Sequence, residues 1–303
     1  MKKSRQDARV ARNMNGIWES CISFGAMDHS PFLRRSRDLS FSILAAALAT
    51  SGCSRRTPVA TVEPLKVAAA ADLVFAFDEV GKDYEKLTGQ KVVFSFGSTG
   101  LLEKQIAEGA PFDLFAAADM SFADDAVKAG VCLADSKALY ATGRLAMFSA
   151  SGASFVPETI ADLTDNRVVR IAIANPQHAP YGRAAEQALR RSKTWDAVER
   201  KLVYGENVQQ ALQFAQSGNA DVALVAVSLA VVTPGRWSLV PSDLHDPLNQ
   251  GLVVCTGGKA GADAGRRFAA YIGSPSGRAV MRRHGFALPG ESIVSFHSPS
   301  PSD

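Results

Sequence analysis

The sequence predicts a two-lobed α/β protein. Its 303 residues are enough to bury a substantial core. Strand-like apolar runs alternate with amphipathic helical segments, as in parallel sheets built from βα units. Two further apolar runs, 144–149 and 252–255, are placed to carry the chain between two lobes, once in each direction. We therefore expect each lobe to hold a mostly parallel sheet flanked by helices, with two crossover strands at the hinge.

The first βα unit shows the alternation clearly. The stretch 65–71 predicts a buried strand. Apolar side chains then recur at helical spacing until Gly89, at Leu73, Phe77, Val80, Tyr84 and Leu87. The same reasoning predicts strands at 91–96, 113–118, 170–174, 201–204 and 221–227, and helices at 101–108, 182–191, 208–216, 262–272 and 276–283.

The first 53 residues have the composition of an export leader. A short apolar run, 41–52, follows an arginine-rich stretch and ends at Cys53. The run is shorter than a membrane-spanning helix requires, which is about 20 residues. Residues 49–53 resemble a lipoprotein processing site, in which Cys53 is acylated. Ordinary signal-peptidase cleavage nearby is the alternative, and Met27 is an alternative start.

The remaining chain divides by composition. We predict a tether at 54–64, a first lobe at 65–143 plus 248–290, a second lobe at 144–247, and a disordered tail at 291–303.

Charge excludes a nucleic-acid binder. The first 53 residues hold 8 of the 33 Lys and Arg and 4 of the 30 Asp and Glu, which leaves 25 basic against 26 acidic residues. Nucleic-acid affinity rests on clustered basic residues that neutralise phosphates. An anion bound by this nearly neutral body must be held mainly by dipoles.

Two cysteines remain after the leader. Cys132 and Cys255 form either a disulfide or two buried thiols, and their spacing does not decide between them. The histidines show no metal-ligand spacing with either cysteine, so we expect no metal site.

Four strand-to-helix junctions could bind an anion: Asp72, Ser98, the turn 180–182, and the pair 207–208. Helix N-termini beyond the carboxyl ends of parallel strands offer unpaired N–H groups and a partial positive charge. Taken singly, Asp72, Ser98 and Asn207 are explained as helix caps, and Tyr181 as a packed aromatic residue.

At these junctions the chain resembles the periplasmic molybdate-binding proteins of ABC transporters. The resemblance covers about 65–289 and is carried by VAAAADLVFAFDEV (67–80), FGSTGLLEKQIAEGAPFDLFAAAD (96–119), IAIANPQHAPYG (171–182), ENVQQAL (206–212) and RAVMRRHGF (278–286). It implies a type II periplasmic-binding-protein fold that closes on molybdate or tungstate. It also implies no cofactor, an ABC permease as partner, a monomer, and a periplasmic location with membrane contact only through a lipid anchor.

The resemblance assigns four oxyanion-binding residues. Ser98 would give its hydroxyl and N–H, and Asp72 occupies the other contact position of the first lobe. Tyr181 and Val208 would give backbone N–H groups from the second lobe, and the Tyr181 hydroxyl would add a further contact.

Asp72 departs from the family, in which many members have Ser or Asn. A carboxylate facing a dianion is repelled by roughly 4 kcal/mol per pair of unit charges at about 4 Å. Either Asp72 turns away and caps its helix, or it binds a proton. We expect the cap, and therefore expect Asp72→Asn to leave affinity within about an order of magnitude and with little pH dependence.

The sequence also bears on two other functions. Asp72 could accept a proton from the ligand, which keeps a sulfate- or phosphate-type oxyanion open. An enzyme is disfavoured, because the sequence has no nucleophile elbow, P-loop or dinucleotide fingerprint.

Overall fold

The apolar runs of the sequence form strands of two five-stranded sheets. The computed structural model describes residues 63–291. The leader 1–53 with Cys53, the tether residues 54–62 and the tail residues 292–303 lie outside the described residues. Glu291, which we assigned to the tail, forms ion pairs with Arg278 and Arg282.

The strands of the described chain, in order, are β1 (Leu65–Ala70), β2 (Val92–Gly97), β3 (Leu114–Ala117), β4 (Ala138–Gly143), β5 (Leu145–Ala150), β6 (Ile171–Ala174), β7 (Leu202–Gly205), β8 (Val222–Ala226), β9 (Gly235–Leu239) and β10 (Leu248–Val254). The helices are α1 (Val74–Thr88), α2 (Thr99–Ala107), α3 (Met120–Lys128), α4 (Pro180–Arg191), α5 (Trp195–Val198), α6 (Val208–Gln216), α7 (Val227–Ala230), α8 (Ala262–Ile272) and α9 (Pro275–Arg283).

Both sheets have the same pattern of directions. The first has the order β2-β1-β3-β10-β4, in which β1 pairs in parallel with β2 and β3, and β10 is antiparallel to both of its neighbours. The second has the order β7-β6-β8-β5-β9, with β5 as the reversed strand. Four strands of each sheet therefore run in one direction. The predicted α/β fold class with two helix-flanked sheets is confirmed.

The chain passes between the sheets twice. It leaves the first sheet at Gly143 and enters the second at Leu145, and it returns between Leu239 and Leu248. The return strand begins four residues before the predicted start at 252. The predicted start is late because the polar residues Asn249 and Gln250 interrupt the apolar pattern of the strand. Gln250 is nevertheless fully buried.

Helix α1 shows how far periodicity predicts packing. Phe77, Val80 and Tyr84 are buried against the first sheet, as their spacing indicates. Leu87 continues the pattern but is 71% exposed, because the helix ends one residue later. Gly89 ends it with a left-handed φ of 72°, a conformation in which glycine carries no steric penalty.

Cys132 and Cys255 form a disulfide. They join the segment after α3 to the end of β10, and the loop that they close contains the whole second sheet. A disulfide is typical of proteins that fold in an oxidising compartment.

Within residues 63–291, none of the helices is both long enough and apolar enough to cross a membrane.

Candidate functional site

The four residues singled out by the sequence come together around one cavity. It lies between the two sheets, and the free space inside it is small, about 10 Å³. Asp72 and Ser98 line it from the ends of β1 and β2, and Tyr181 and Val208 line it from the first turns of α4 and α6. All four residues are at most 4% exposed. Carboxyl ends of strands from both sheets therefore face a common point.

The start of α6 leaves one N–H group free. The side-chain oxygen of Asn207 accepts hydrogen bonds from the N–H groups of Gln209 at 3.1 Å and Gln210 at 3.0 Å. Within the described chain the N–H of Val208 has no acceptor. Asn207 is thus the cap that its residue type predicts, and Val208 is the donor that remains beside the cavity.

Helix α4 also begins with unpaired donors. Pro180 occupies its first position and has no N–H, and the first helical bond runs from Arg183 N to Ala179 O at 3.0 Å. The N–H groups of Tyr181 and Gly182 have no backbone acceptor among the described residues. Gly182 allows this helix start to lie close to the sheet, because a Cβ there would overlap the Ala174 carbonyl oxygen.

The Ser98 side chain does not cap α2. Its hydroxyl donates to the His178 carbonyl oxygen at 2.8 Å, and its oxygen lies 2.8 Å from the His178 Nδ1. The N–H of Gly100 donates to the same carbonyl at 2.9 Å. His178 belongs to the loop before α4, so this contact joins the two sides of the cleft.

Other contacts also cross the cleft. The Ser228 hydroxyl of α7 donates to the Asp72 carbonyl oxygen at 2.7 Å. Arg183 of α4 lies 3.5 Å from the Asp119 carboxylate and covers the Phe122 ring at 4.9 Å.

The helix-cap prediction for Asp72 is wrong. Its side chain makes no capping hydrogen bond to the short 3-10 turn in which it lies, Ala71–Leu73, or to α1. Instead, Oδ2 accepts a hydrogen bond from Gln250 Nε2 at 2.5 Å, and Oδ1 is buried without a partner among the described residues. The 3-10 turn directs the side chain toward β10 rather than back toward its own helix.

Burial governs the protonation of this group. It raises the pKa of Asp72 to about 6, while the hydrogen bond from Gln250 partly opposes the rise. Burial also raises the pKa of Tyr140 and of Tyr181 well above the usual range, and the Asp72 charge adds to both shifts. Both tyrosines are therefore neutral donors at physiological pH.

Three residues near the site were not predicted. Gln250 and Tyr140 approach Asp72 from β10 and β4, and His178 contacts Ser98 from the other side of the cleft. The one signal in the sequence was the glutamine next to the predicted apolar strand. A polar side chain inside a buried strand needs a hydrogen-bond partner, so this residue could have indicated a polar contact.

The cavity can hold an anion only by dipoles. None of the described residues that line it is Lys, Arg or His. Its donors are backbone N–H groups at helix starts, together with hydroxyls, and such groups bind anions without a formal positive charge. Across the described residues no cluster of His, Cys, Asp or Glu could hold a metal ion.

A larger cavity lies elsewhere, between 150–155 and 215–221. Its cation, Arg167, is paired with Asp165 and covers the Phe155 ring at 4.0 Å. Because this guanidinium is already paired, it is not available to bind an anion. The cavity between the sheets is therefore the better candidate site.

Known proteins resemble the chain along nearly all of its described length. The molybdate-binding protein ModA of Azotobacter vinelandii is 35% identical over 254 residues, which cover 82% of this chain and 100% of that protein. ModA of Rhodobacter capsulatus is 34% identical over 72% of this chain and 86% of that protein. The structure of the periplasmic molybdate-binding protein of A. vinelandii matches with a TM-score of 0.69 and 30% identity, covering 74% of this chain and 99% of that chain.

A more distant structure shows the fold alone. The sulfate-binding protein SubI of Mycobacterium tuberculosis has a TM-score of 0.61 at 16% identity, over 76% of this chain and 88% of its own. The sequence profile of the bacterial extracellular solute-binding proteins matches residues 65–287. The chain belongs to this family of bacterial extracellular solute-binding proteins.

Proposed function

We propose that this chain is the solute-binding protein of an ABC importer that captures molybdate or tungstate between two lobes and delivers it to the permease. The observation that carries the proposal is the meeting of helix starts from both sheets around one buried cavity. Asp72, Ser98, Tyr181 and Val208 are the proposed oxyanion-binding residues. The relatives named for molybdate binding support the choice of ligand.

Size and protonation set the proposed selectivity. Molybdate and tungstate are larger than sulfate and phosphate, so donors placed for the larger ions leave the smaller ones with stretched hydrogen bonds. Another tetrahedral oxyanion is the second candidate. One observation favours phosphate, because the buried Asp72 carboxylate could accept the proton that hydrogen phosphate carries.

We propose that the protein is not an enzyme, although Ser98 and His178 could be mistaken for a nucleophile and its base. The Ser98 hydroxyl donates to the His178 carbonyl, and no described carboxylate orients the imidazole. Activated serines have both the base and its orienting partner.

Transport requires opening and closing. The proposed lobes are 65–143 with 248–290, and 144–247, and the chain segments that cross between the sheets form the hinge. The anion stabilises the closed form by bridging the two half-sites. We propose a periplasmic location, a monomer, and a lipid anchor at Cys53.

Calorimetric titration of the purified protein with molybdate, tungstate, sulfate and phosphate tests the proposal. We expect binding of molybdate and tungstate. The Ser98 hydroxyl, which donates its one proton to the His178 carbonyl in this structure, would turn to the bound anion. Ser98→Ala should therefore weaken binding about 10- to 100-fold, as for a lost hydrogen bond to a charged group. Ser121→Ala, an exposed serine at the start of α3, is the matched control. Binding of sulfate or phosphate alone would refute the assigned specificity.

A further inference from the structure

Asp72 is the one acidic residue among the described residues that line the cavity. It is 1% exposed. One carboxyl oxygen accepts a hydrogen bond from Gln250, and the other, Oδ1, has no partner in the described chain. A buried carboxyl oxygen without a donor is costly when it is charged, and that cost falls when it binds a proton.

A hydrogen-bond network of Tyr140, Gln250 and Tyr181 surrounds Asp72 and determines which donor groups reach its carboxylate. The Tyr140 hydroxyl donates to Gln250 Oε1 at 2.8 Å, which directs the amide nitrogen of Gln250 toward Asp72. The same nitrogen lies 3.3 Å from the Tyr181 hydroxyl oxygen. Every member of this network except Asp72 is neutral, so no cation in it balances the carboxylate.

The surrounding elements supply no compensating charge. The titratable groups that face Asp72 are the hydroxyls of Tyr140 and Tyr181. Strand β2 and helices α6 and α7, which pack against the Asp72 turn, contain no charged residue. On α1, Asp78 is paired with Lys82 at an exposed surface.

The second acidic residue of α1 near this turn is also paired. Glu79 forms ion pairs with Arg283 and His284 of the α9 region. These contacts occupy the basic groups at that side of α1. The field that a bound anion imposes on Asp72 is therefore not offset by a neighbouring cation.

We propose, on the basis of the function proposed above, that Asp72 makes oxyanion capture proton-coupled, so that the dianion binds together with one proton taken from solvent onto the Asp72 carboxylate. The balance is simple: an ionised carboxylate, one proton and one dianion give a complex with a neutral carboxyl group. The new O–H becomes a donor beside the anion, in place of a like charge.

Burial raises the pKa of the Asp72 carboxyl toward neutral pH, where the proton would be taken up. With a pKa of about 6, Asp72 is mostly ionised in the free protein at neutral pH. A dianion in the cavity raises that pKa further, because like charge disfavours the ionised form. The complex then holds more protons than its free components, so affinity must rise as pH falls.

The test is titration calorimetry with sodium molybdate in buffers of different ionisation enthalpy at about pH 7.5. We expect uptake of about one proton per anion, and an affinity that falls about tenfold per pH unit between about pH 7 and 8. Molybdate itself is fully deprotonated in this range, so the dependence belongs to the protein.

Two variants locate the proton. Asp72→Asn should bind molybdate without proton uptake and with a flat pH profile. Asp78→Asn, the exposed acid on the adjacent helix, should keep both properties of the unmodified protein. Ser98→Ala should bind more weakly but still take up the proton.

The outcomes separate the two proposals. Molybdate binding without proton uptake by the unmodified protein overturns the coupling and leaves the proposed function standing, even if Asp72→Asn fails to fold. Proton uptake that persists in Asp72→Asn also overturns it. Failure to bind molybdate or tungstate overturns the proposed function, and the coupling with it. Phosphate binding without proton exchange identifies Asp72 as an acceptor for a protonated ligand instead.

Discussion

The Ser98 hydroxyl oxygen lies 2.8 Å from both the Nδ1 and the carbonyl oxygen of His178. Ser98 follows β2 of the first sheet, and His178 precedes α4 beside the second, so one residue pair spans the cleft at the edge of the cavity. The Gly100 N–H uses the same carbonyl. The main chain of His178 therefore makes most of this contact, and its imidazole adds one hydrogen bond.

That division predicts a modest effect of His178→Ala. The variant keeps the carbonyl and loses the imidazole, so molybdate affinity should fall about 2- to 10-fold, corresponding to about 0.5–1.5 kcal/mol for a single hydrogen bond. Titration calorimetry beside Ser98→Ala checks the order of the two effects. An equal or larger loss in His178→Ala would mean that the imidazole itself contacts the anion.

Gly182→Ala should damage the second half-site. A Cβ at this position overlaps the main chain at the end of β6, including the Ala174 carbonyl. The first turn of α4 must shift to relieve the overlap, which costs about 1–3 kcal/mol of unfolding free energy and moves the Tyr181 N–H. We expect lower stability in urea unfolding and weaker molybdate binding.

Gly273→Ala is the matched control. It ends α8 at a φ of −76°, and the nearest atom to its Cβ would be 3.6 Å away. Neither stability nor affinity should fall. If Gly182→Ala behaves like this control, the α4 start does not require close packing against β6.

The sequence predicted the parts of the site that are locally encoded. Val208 and Asn207 lie in a strand-to-helix junction whose residue types specify a helix start, and parallel strands bring such junctions to one edge. The partners of Asp72 are not local. Gln250 is 178 positions away, and no nearby residue indicates that it reaches the carboxylate.

The same distinction explains the missed strands. The edge strands β4 and β9 carry too few alternating apolar residues to stand out in the sequence, and Leu139 of β4 is 42% exposed. The interior strand β8 is apolar throughout, and β1 is apolar except for Lys66; both are predicted from the sequence. Strand β10 was placed late because its first residues include the polar Asn249 and Gln250, of which Gln250 contacts Asp72.

Removal of the disulfide should lower stability without changing the site. The bond between Cys132 and Cys255 closes a loop of 123 residues. Cross-links of long loops stabilise by about 2–5 kcal/mol, largely by restricting the unfolded chain. The variant Cys132→Ala/Cys255→Ala should lose about this much unfolding free energy in urea titration.

Its molybdate affinity should stay within about twofold, because neither cysteine lines the cavity. The unmodified protein with a thiol reductant is the control, and it should approach the stability of the variant. Unchanged stability in both would show that the bond does not form in the native protein.

Asp72→Asn should stabilise the unliganded protein at neutral and higher pH. The folded pKa of Asp72, about 6, lies above the ordinary value of 3.8, so the folded state holds the proton more tightly than the unfolded state. Stability from this group is complete below about pH 4 and is lost as pH rises through about 6. The loss amounts to about 3 kcal/mol, at 1.36 kcal/mol per pKa unit.

The side-chain amide of the Asp72→Asn variant does not ionise, so the variant does not lose this unfolding free energy as the pH rises. In urea unfolding without ligand, Asp72→Asn should therefore exceed the unmodified protein by up to about 3 kcal/mol at about pH 8, and match it at about pH 4. Asp78→Asn, which breaks only the exposed pair with Lys82, should change stability little at either pH. A constant difference between Asp72→Asn and the unmodified protein at both pH values would show that packing, rather than the buried charge, sets the effect.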